Sequence, residues 1–198
     1  MGIVLAHGAG AGQDHPWMVT MRDGLAAAGL TVLTFDYPYM AAGRKAPDRA
    51  ARLLDAHAAA VARLRGECDD IVLAGKSMGA RMGSHLVGDR GEPVAGLVHY
   101  GYPLVAIGRT EARGVDQLAR IAAPQLFFVG TRDRLCPVDL VRSVVGDLAG
   151  AELIVIEDAD HSFNVPKQSG TTTAEVLARL ATATAAWTDR TRGISTVA

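Results

Sequence analysis

A serine, an aspartate and a histidine that lie far apart in the sequence carry the side chains needed for acyl transfer. Ser77 stands at the centre of the pentapeptide Gly75–Gly79, and Asp133 and His161 follow it along the chain. A histidine that takes the proton of a serine hydroxyl makes that hydroxyl nucleophilic, and a carboxylate fixes the histidine in the tautomer this requires. The chain order predicts Ser77 as nucleophile, Asp133 as acid and His161 as base.

The sequence around Ser77 favours this interpretation. The apolar run Ile71–Ala74 predicts a buried strand and a helix is predicted after the pentapeptide, which is the strand–turn–helix context of a nucleophile elbow. The serine of such a turn takes a strained backbone conformation, and Gly75 and Gly79 leave out the side chains that would collide there. The backbone N–H of Met78 is then predicted to face the reacting carbonyl as an oxyanion donor.

A phosphate-binding loop is an alternative interpretation of the same residues. Gly75, Lys76 and Ser77 match the end of the G-x-x-x-x-G-K-S motif. That motif requires a glycine at position 70, where this chain has Asp70. A carboxylate there would repel phosphate, so we reject the phosphate-binding loop.

The segment His7–Gly12, which follows the first predicted strand, is rich in glycine and alanine. Small side chains leave the backbone N–H groups of such a loop uncovered, and this loop supplies the second oxyanion donor at a hydrolase site. We predict the N–H of Ala9 as that donor, with Gly10 as the next candidate. His7 is predicted to be a hydrogen-bonded structural histidine.

A dinucleotide site is the alternative function for this loop, since a glycine-rich turn, a helix and then Asp36 at the end of a strand follow one another. The G-x-G-x-x-G motif would need glycine where the chain has Gln13 or His15. The sequence therefore favours a hydrolase over an oxidoreductase. The evidence against the oxidoreductase is weaker than the evidence against the phosphate-binding loop.

The acid and the base follow the last two predicted strands. Asp133 comes after the fifth strand, where a turn-capping role is its alternative, and His161 comes after the sixth. Asp160 is kept as a reserve acid, although a sequence neighbour of a histidine seldom points at its ring. His15, His57 and His85 fall on or beside predicted helices, and the role of the strand-terminal His99 is left open.

Short apolar runs alternate with amphipathic segments along the whole chain. Continuous apolar runs are typical of strands that are buried on both faces, and their alternation with helices predicts a parallel sheet covered on both sides. Ligands bind such sheets at the carboxyl ends of the strands, where the three residues above are placed. The predicted strands are Gly2–Ala6, Thr31–Phe35, Ile71–Ala74, Val94–His99, Gln125–Val129 and Leu153–Ile156.

Four further segments predict helices. Pro16 and Pro137 each mark a helix start, and the helix that begins at Pro16 is predicted to end near Gly29. The segment Arg49–Arg65 carries an apolar stripe, and Thr172 with Glu175 resembles a capping box at the start of the final helix.

Length and composition bound the function classes. The chain has 198 residues, of which 49% are hydrophobic, and a formal net charge of −1. We therefore expect one domain over residues 1–188, with a flexible tail over 189–198. We expect no nucleic-acid partner and no membrane segment. Cys68 and Cys136 form no metal-binding pattern, so two free thiols in the cytoplasm, no metal and no cofactor are predicted.

Taken together, these motifs resemble the α/β-hydrolase superfamily, most closely the small dienelactone-hydrolase-like proteins. The resemblance implies a minimal α/β-hydrolase fold of about six mostly parallel strands with helices on both faces and no cap domain. It also implies a serine hydrolase whose triad corresponds to Ser77, Asp133 and His161; dienelactone hydrolases proper have a cysteine at the position of Ser77. The residues that carry it are His7–Gly12, Phe35–Met40, Gly75–Arg81, Gly101–Pro103, Gly130–Asp133 and Asp160–Phe163.

The expected substrate is a small ester or thioester. The segment Gly101–Ala123 is too short for a cap domain, so we expect an open site that prefers short to medium acyl groups. Tyr37, Tyr102 and Phe163 are predicted to contact the substrate at an apolar rim, which Tyr39, Met40 and Leu104 would extend. The alternative is a non-catalytic interaction domain, because a fold does not establish a function. Exposed sheet edges make a homodimer a further expectation.

Overall fold

The computed structural model describes residues 1–106, 109 and 111–192. Six strands form one sheet, and each lies where an apolar run predicts it, with ends that agree to within a residue or two. The strands are β1 (Gly2–Ala6), β2 (Thr31–Phe35), β3 (Ile71–Lys76), β4 (Gly96–Tyr100), β5 (Gln125–Gly130) and β6 (Ala151–Ile156).

All six strands are parallel, in the order β2-β1-β3-β4-β5-β6. Their carboxyl ends therefore lie along one edge of the sheet. The register pairs Ala6 at the end of β1 with Gly75 in β3, and Lys76 with Tyr100 at the end of β4. The loops after β1, β3, β5 and β6 thus start from the same edge, which confirms the predicted parallel architecture.

Seven helices occur in the described residues: α1 (Pro16–Ala27), α2 (Pro38–Ala41), α3 (Ala50–Arg65), α4 (Met78–Gly88), α5 (Asp116–Ala119), α6 (Val138–Gly146) and α7 (Thr173–Arg192). The predicted capping box is present at α7. The N–H of Thr172 donates to the Glu175 carboxylate at 2.7 Å, and the N–H of Glu175 donates to the Thr172 hydroxyl at 3.2 Å.

Helices cover the sheet on both faces. Apolar residues of α3, α4, α5 and α6 pack with one set of strand side chains, and those of α1 and α7 pack with the other. This three-layer arrangement explains the continuous apolar strands, since alternate residues of each strand enter different cores. Fully buried strand residues include Val4 and Leu73 on the α3–α4 face, and Leu5 and Val98 on the α1–α7 face.

Helix α7 continues past residue 188, the predicted end of the domain. Thr191 is buried, and the guanidinium of Arg190 binds the carboxylate of Glu152 at 3.0 Å. Residues 189–192 are therefore helical, and residues 193–198 of the predicted tail lie outside the described residues. None of the helices in the described part of the chain is long and apolar enough to span a membrane.

Candidate active site

Ser77 lies on the sharp turn between β3 and α4. Its φ is 51° and its ψ is −110°, a backbone conformation that is strained for any residue with a side chain. Two hydrogen bonds hold the turn: the Ser77 N–H donates to the carbonyl of Tyr100 at 3.0 Å, and its carbonyl accepts from the N–H of Arg81 at 3.1 Å. This is the geometry of the predicted nucleophile elbow.

Glycine is required on both sides of Ser77. A Cβ at Gly75 would collide with the backbone of Gly79 and Ala80, and a Cβ at Gly79 would collide with the backbone carbonyl of Ala6. Helix α4 therefore starts in direct contact with both β3 and β1. This close approach fixes the position of the serine relative to the loop that follows β1.

The three predicted catalytic side chains form one hydrogen-bonded row. The Nε2 of His161 lies 2.9 Å from the Oγ of Ser77, and its Nδ1 lies 2.7 Å from the Oδ2 of Asp133. A carboxylate can only accept, so Nδ1 carries the proton and Nε2 is left to accept from the serine hydroxyl. The Asp133 side chain is fully buried, whereas 23% of the His161 side chain is exposed.

The loop after β5 holds the carboxylate of Asp133. Its Oδ1 accepts hydrogen bonds from the N–H of Leu135 at 2.8 Å and of Cys136 at 3.1 Å. Because Oδ1 is engaged with the backbone, Oδ2 faces the ring of His161. Asp133 thus combines the turn-capping contacts and the contact with histidine that the sequence analysis treated as alternatives.

Asp160, the second candidate for the acid, has a structural role in its loop instead. Its Oδ1 accepts from the N–H of Ser162 at 2.8 Å and of Asn164 at 2.9 Å. These bonds shape the loop that carries His161, together with Phe163, whose φ of 63° is unusual for a side-chain-bearing residue. The acid that contacts the His161 ring is Asp133, not Asp160.

The two predicted oxyanion donors lie beside Ser77 in one cleft. The N–H of Gly10 donates to the Tyr39 hydroxyl at 3.3 Å. In contrast, no hydrogen bond within the described residues uses the N–H of Ala9 or of Met78. This difference favours Ala9 over Gly10 as the second donor.

Buried polar residues hold the glycine-rich loop. His7 bridges two segments, because its Nδ1 lies 2.7 Å from the carbonyl of Gly8 and its Nε2 accepts from the N–H of Tyr37 at 3.1 Å. Burial lowers the pKa of His7, so the ring stays neutral in this structural role. Asp36, the residue on which the dinucleotide alternative depended, accepts from the N–H of Gln13 at 2.8 Å and thus fixes the same loop.

Two clefts meet at Ser77 and share Ala9, Ser77 and Leu135. The first, here called the histidine cleft, has a volume of about 220 Å³. The second, here called the arginine cleft, has a volume of about 280 Å³. The histidine cleft is also lined by Gly8, Ala11, His15, Trp17, Met18, Lys76, His161 and Ser162, and the arginine cleft by Pro47, Met78, Arg81, Met82, Pro103, Val105 and Arg113.

The aromatic residues predicted at the rim lie elsewhere. Tyr37, Tyr102 and Phe163 are each fully buried in the core. The Tyr37 hydroxyl lies 3.2 Å from the Nδ1 of His57. The Tyr102 hydroxyl accepts from the side-chain amide of Gln117 at 2.7 Å. These polar partners satisfy the hydroxyls inside the protein, and the walls of the clefts are formed by other side chains.

Several residues near the site were not predicted from the sequence. Trp17 and Met18 supply the apolar wall of the histidine cleft. Lys76 is only 8% exposed, and burial lowers its pKa to about 8. Gly101 has a φ of 63°, and a Cβ there would lie 3.3 Å from the Nδ1 of His161. The sequence does indicate this position, because a glycine directly follows a strand at the edge of the sheet where the site lies.

Neither cysteine lines the two clefts at Ser77. Cys68 and Cys136 are free thiols, and burial raises the pKa of Cys136, which keeps its thiol protonated. In the described ranges, no group of three or more histidine, cysteine, aspartate or glutamate side chains is arranged to hold a metal ion.

Solved structures with the same architecture include several hydrolases. One is an alpha-beta serine hydrolase homologue from Coxiella burnetii, which is 21% identical to this chain. The match covers 91% of this chain and 83% of the homologue, with a TM-score of 0.72. The dienelactone hydrolase from Anabaena variabilis is 23% identical over 94% of this chain and 85% of its own, with a TM-score of 0.72. A monoacylglycerol lipase from Paleococcus ferrophilus is 18% identical over 96% and 94%, with a TM-score of 0.69.

At these identities the likeness shows a shared fold: six parallel strands in one sheet, with helices on both faces. The family model described as an alpha/beta hydrolase domain matches residues 1–189, which is nearly the whole chain and includes all three residues of the hydrogen-bonded row. The chain therefore belongs to the alpha/beta hydrolase family.

Proposed function

We propose that this chain is a serine hydrolase that cleaves ester or thioester bonds of small acyl substrates. The observation that carries the proposal is the row of hydrogen bonds from Ser77 through His161 to Asp133. It starts at a serine in a strained elbow and ends at a buried carboxylate. Such an arrangement lowers the cost of removing the serine proton at neutral pH.

The proposed mechanism uses an acyl-enzyme. His161 accepts the Ser77 proton through Nε2 as Oγ attacks the carbonyl carbon, and the charge that forms on Nδ1–H is stabilised by Asp133. The backbone N–H groups of Ala9 and Met78 bind the oxyanion. His161 then protonates the leaving group, and afterwards it removes a proton from the water that releases the acid and restores Ser77.

The clefts favour small substrates. Volumes of about 220 Å³ and about 280 Å³ suit short to medium acyl and alcohol groups, and the related folds include lipolytic enzymes, a monoacylglycerol lipase and a dienelactone hydrolase.

Catalysis by this mechanism needs no metal or organic cofactor. We also retain as proposals a cytoplasmic location, which suits two free thiols, and a homodimer paired through the sheet edges at β2 or β6.

A fluorophosphonate tests the proposal directly. We expect the purified protein to gain one phosphonyl group, measured by intact mass, because an activated serine attacks the phosphorus and displaces fluoride. Ser77→Ala should gain none. Ser143→Ala, which removes an exposed serine on α6, should label like the wild type. A screen of aryl esters and thioesters of different chain lengths then defines the substrate.

The result also decides between a hydrolase and a non-catalytic interaction domain. Absence of an adduct on folded wild-type protein, checked by circular dichroism, would contradict the proposal and favour an interaction role. Faster cleavage of long-chain triglycerides than of short aryl esters would contradict the preference for small acyl groups.

A further inference from the structure

The arginine cleft carries positive charge, and none of the described residues in its wall is acidic. Arg81 and Arg113 both line it. The remaining described side chains of this wall are apolar apart from Ser77 itself. The cleft therefore has two arginines and Ser77 in one wall.

Among the described residues, no hydrogen bond or ion pair is formed by the Arg81 guanidinium. Its Nη1 is buried and forms no hydrogen bond, and no ion pair to Arg81 occurs among the described residues. Other arginines of this chain do bind carboxylates, such as Arg65 with Glu92 at 2.8 Å and Arg90 with Asp55 at 2.7 Å. A buried charged donor without an acceptor is costly, and such groups normally have a partner.

The backbone aims Arg81 at the site. Its N–H donates to the carbonyl of Ser77 at 3.1 Å, so it stands on the first turn of α4, on the same side of that helix as the serine. Arg113 comes from a different segment, and its N–H donates to the carbonyl of Leu104 at 2.7 Å, between the cleft residues Pro103 and Val105. Two separate elements thus contribute an arginine to the lining of one cleft.

The chemistry of the reaction decides which part of the substrate lies there. The leaving group must be within reach of His161, which protonates it, and His161 lines the other cleft. The arginine cleft contains both predicted oxyanion donors, Ala9 and Met78, but not His161. The alcohol or thiol part therefore belongs in the histidine cleft, and the acyl chain extends into the arginine cleft.

We infer that the acyl group of the substrate ends in an oxyanion, a carboxylate or a phosphate, which Arg81 and Arg113 bind. This inference rests on the proposed serine hydrolase function and adds the substrate class to it. A guanidinium offers two parallel N–H donors that match the two oxygens of either anion. Neither Arg81 nor Arg113 forms an ion pair with a carboxylate of the described residues, so the charge of both guanidinium groups can act on an anion in the cleft.

The test compares esters that differ only in the charge at the end of the acyl chain. One pair is 4-nitrophenyl hydrogen glutarate and its methyl ester, and the other is 4-nitrophenyl 4-phosphonobutanoate and its dimethyl phosphonate. We expect kcat/KM to be about tenfold or more higher for the anion of at least one pair, which is the range of a charge-assisted hydrogen bond. The preferred pair identifies carboxylate or phosphate, and added salt should reduce the preference.

Arginine variants link this preference to the cleft. In Arg81→Met and in Arg113→Met the ratio of kcat/KM for the anion to kcat/KM for the neutral ester should fall towards one. Arg81→Lys should retain only part of it, since an ammonium cannot bind two oxygens in the same plane. Arg179→Met, which removes an exposed arginine of α7, serves as the matched control. The ratio within each variant cancels any general loss of folded enzyme.

Failure of this inference can be distinguished from failure of the proposed function. If wild-type enzyme is labelled by fluorophosphonate but cleaves the neutral esters as fast as the anions, the oxyanion site is wrong and the hydrolase stands. If no labelling occurs, a measurement of anion binding tests the oxyanion site without catalysis. Monomethyl glutarate and 4-phosphonobutanoate should shift the Nε–Hε NMR signal of Arg81 in Ser77→Ala protein, and no shift with either anion would overturn the inference.

Discussion

A single ring, that of His161, contacts both Ser77 and Asp133, so its tautomer controls the proposed chemistry. Asp133→Asn should lower kcat by about 10⁴, because an amide can donate to Nδ1 and thereby place the histidine proton on Nε2, facing the serine. The amide oxygen can still accept from the N–H groups of Leu135 and Cys136, so the fold should persist. Steady-state kinetics with an aryl ester and thermal unfolding test both expectations.

Asp160→Asn is the matched control for that prediction. It also replaces a carboxylate with an amide next to the site, but the oxygen that accepts from Ser162 and Asn164 can remain in place. Its effect on kcat should be far smaller than that of Asp133→Asn. Equal losses in the two variants would show that charge near His161, and not the tautomer, is what matters.

At the residue level, sequence order predicts the hydrogen-bonded row of Ser77, His161 and Asp133 but not the walls around it. Ser77, Asp133 and His161 are identified by the type of residue and the strand it follows, which the chain order records. The orientation of a loop side chain depends on backbone dihedrals that no pattern indicates. Phe163, for example, is turned into the core at a φ of 63°, and Leu135 carries no motif although it lines both clefts.

The contact between α4 and β1 positions the nucleophile at the level of secondary-structure elements. Gly79→Ala should lower the free energy of unfolding by about 1–3 kcal/mol, because the added methyl group collides with the backbone carbonyl of Ala6. The same collision moves α4 away from the loop that carries Ala9, so kcat/KM should fall as well. Urea unfolding and aryl-ester kinetics measure the two effects.

Gly83→Ala provides the control within the same helix. A Cβ there would lie 3.5 Å from the ring of His57, an ordinary contact. Since alanine is a better helix former than glycine by about 1 kcal/mol, this variant should be neutral or more stable than the wild type. A loss of stability as large as that of Gly79→Ala would indicate that α4 is sensitive to substitution in general.

Elements are predicted best where burial leaves a clear pattern. The six strands are continuous apolar runs, and the bounds of β1 and β2 are as predicted. Helices α2 and α5 have four residues each, too few for a periodic pattern. The extension of α7 past residue 188 was missed because its buried side chains Thr188 and Thr191 are of a polar residue type, which alone suggests an exposed tail.

Two buried histidines make the stability of the whole molecule depend on pH. Burial lowers the pKa of His57 to about 3 and that of His99 to about 4, below the ordinary value of about 6.5. As pH falls below about 6.5, these residues take up protons in the unfolded chain but not in the folded protein. Unfolding should therefore become easier by up to about 1.4 kcal/mol per pH unit for each histidine, down to about pH 4.

Urea unfolding between pH 4 and pH 8 measures this dependence. In His57→Leu the slope below pH 6 should be smaller than that of the wild type by up to about 1.4 kcal/mol per pH unit, which is the contribution of one histidine. Carboxylates with lowered pKa values, such as Asp89, contribute equally to both proteins and cancel in the difference. Identical slopes for wild type and variant would mean that His57 is protonated in the folded state as readily as in the unfolded chain.

Helices α1 and α7, near opposite ends of the described chain, pack in the same layer, where Met21 and Leu25 share a core with Leu180 and Trp187. The ring of Trp187 lies so close to Gly96 that a Cβ there would collide with it. During synthesis on a ribosome, the apolar side of α1 that packs on α7 and the same face of β4 therefore have no cover until α7 emerges. Until then that apolar surface is exposed to chaperones and to other nascent chains, and the domain completes its fold only after α7 has been made.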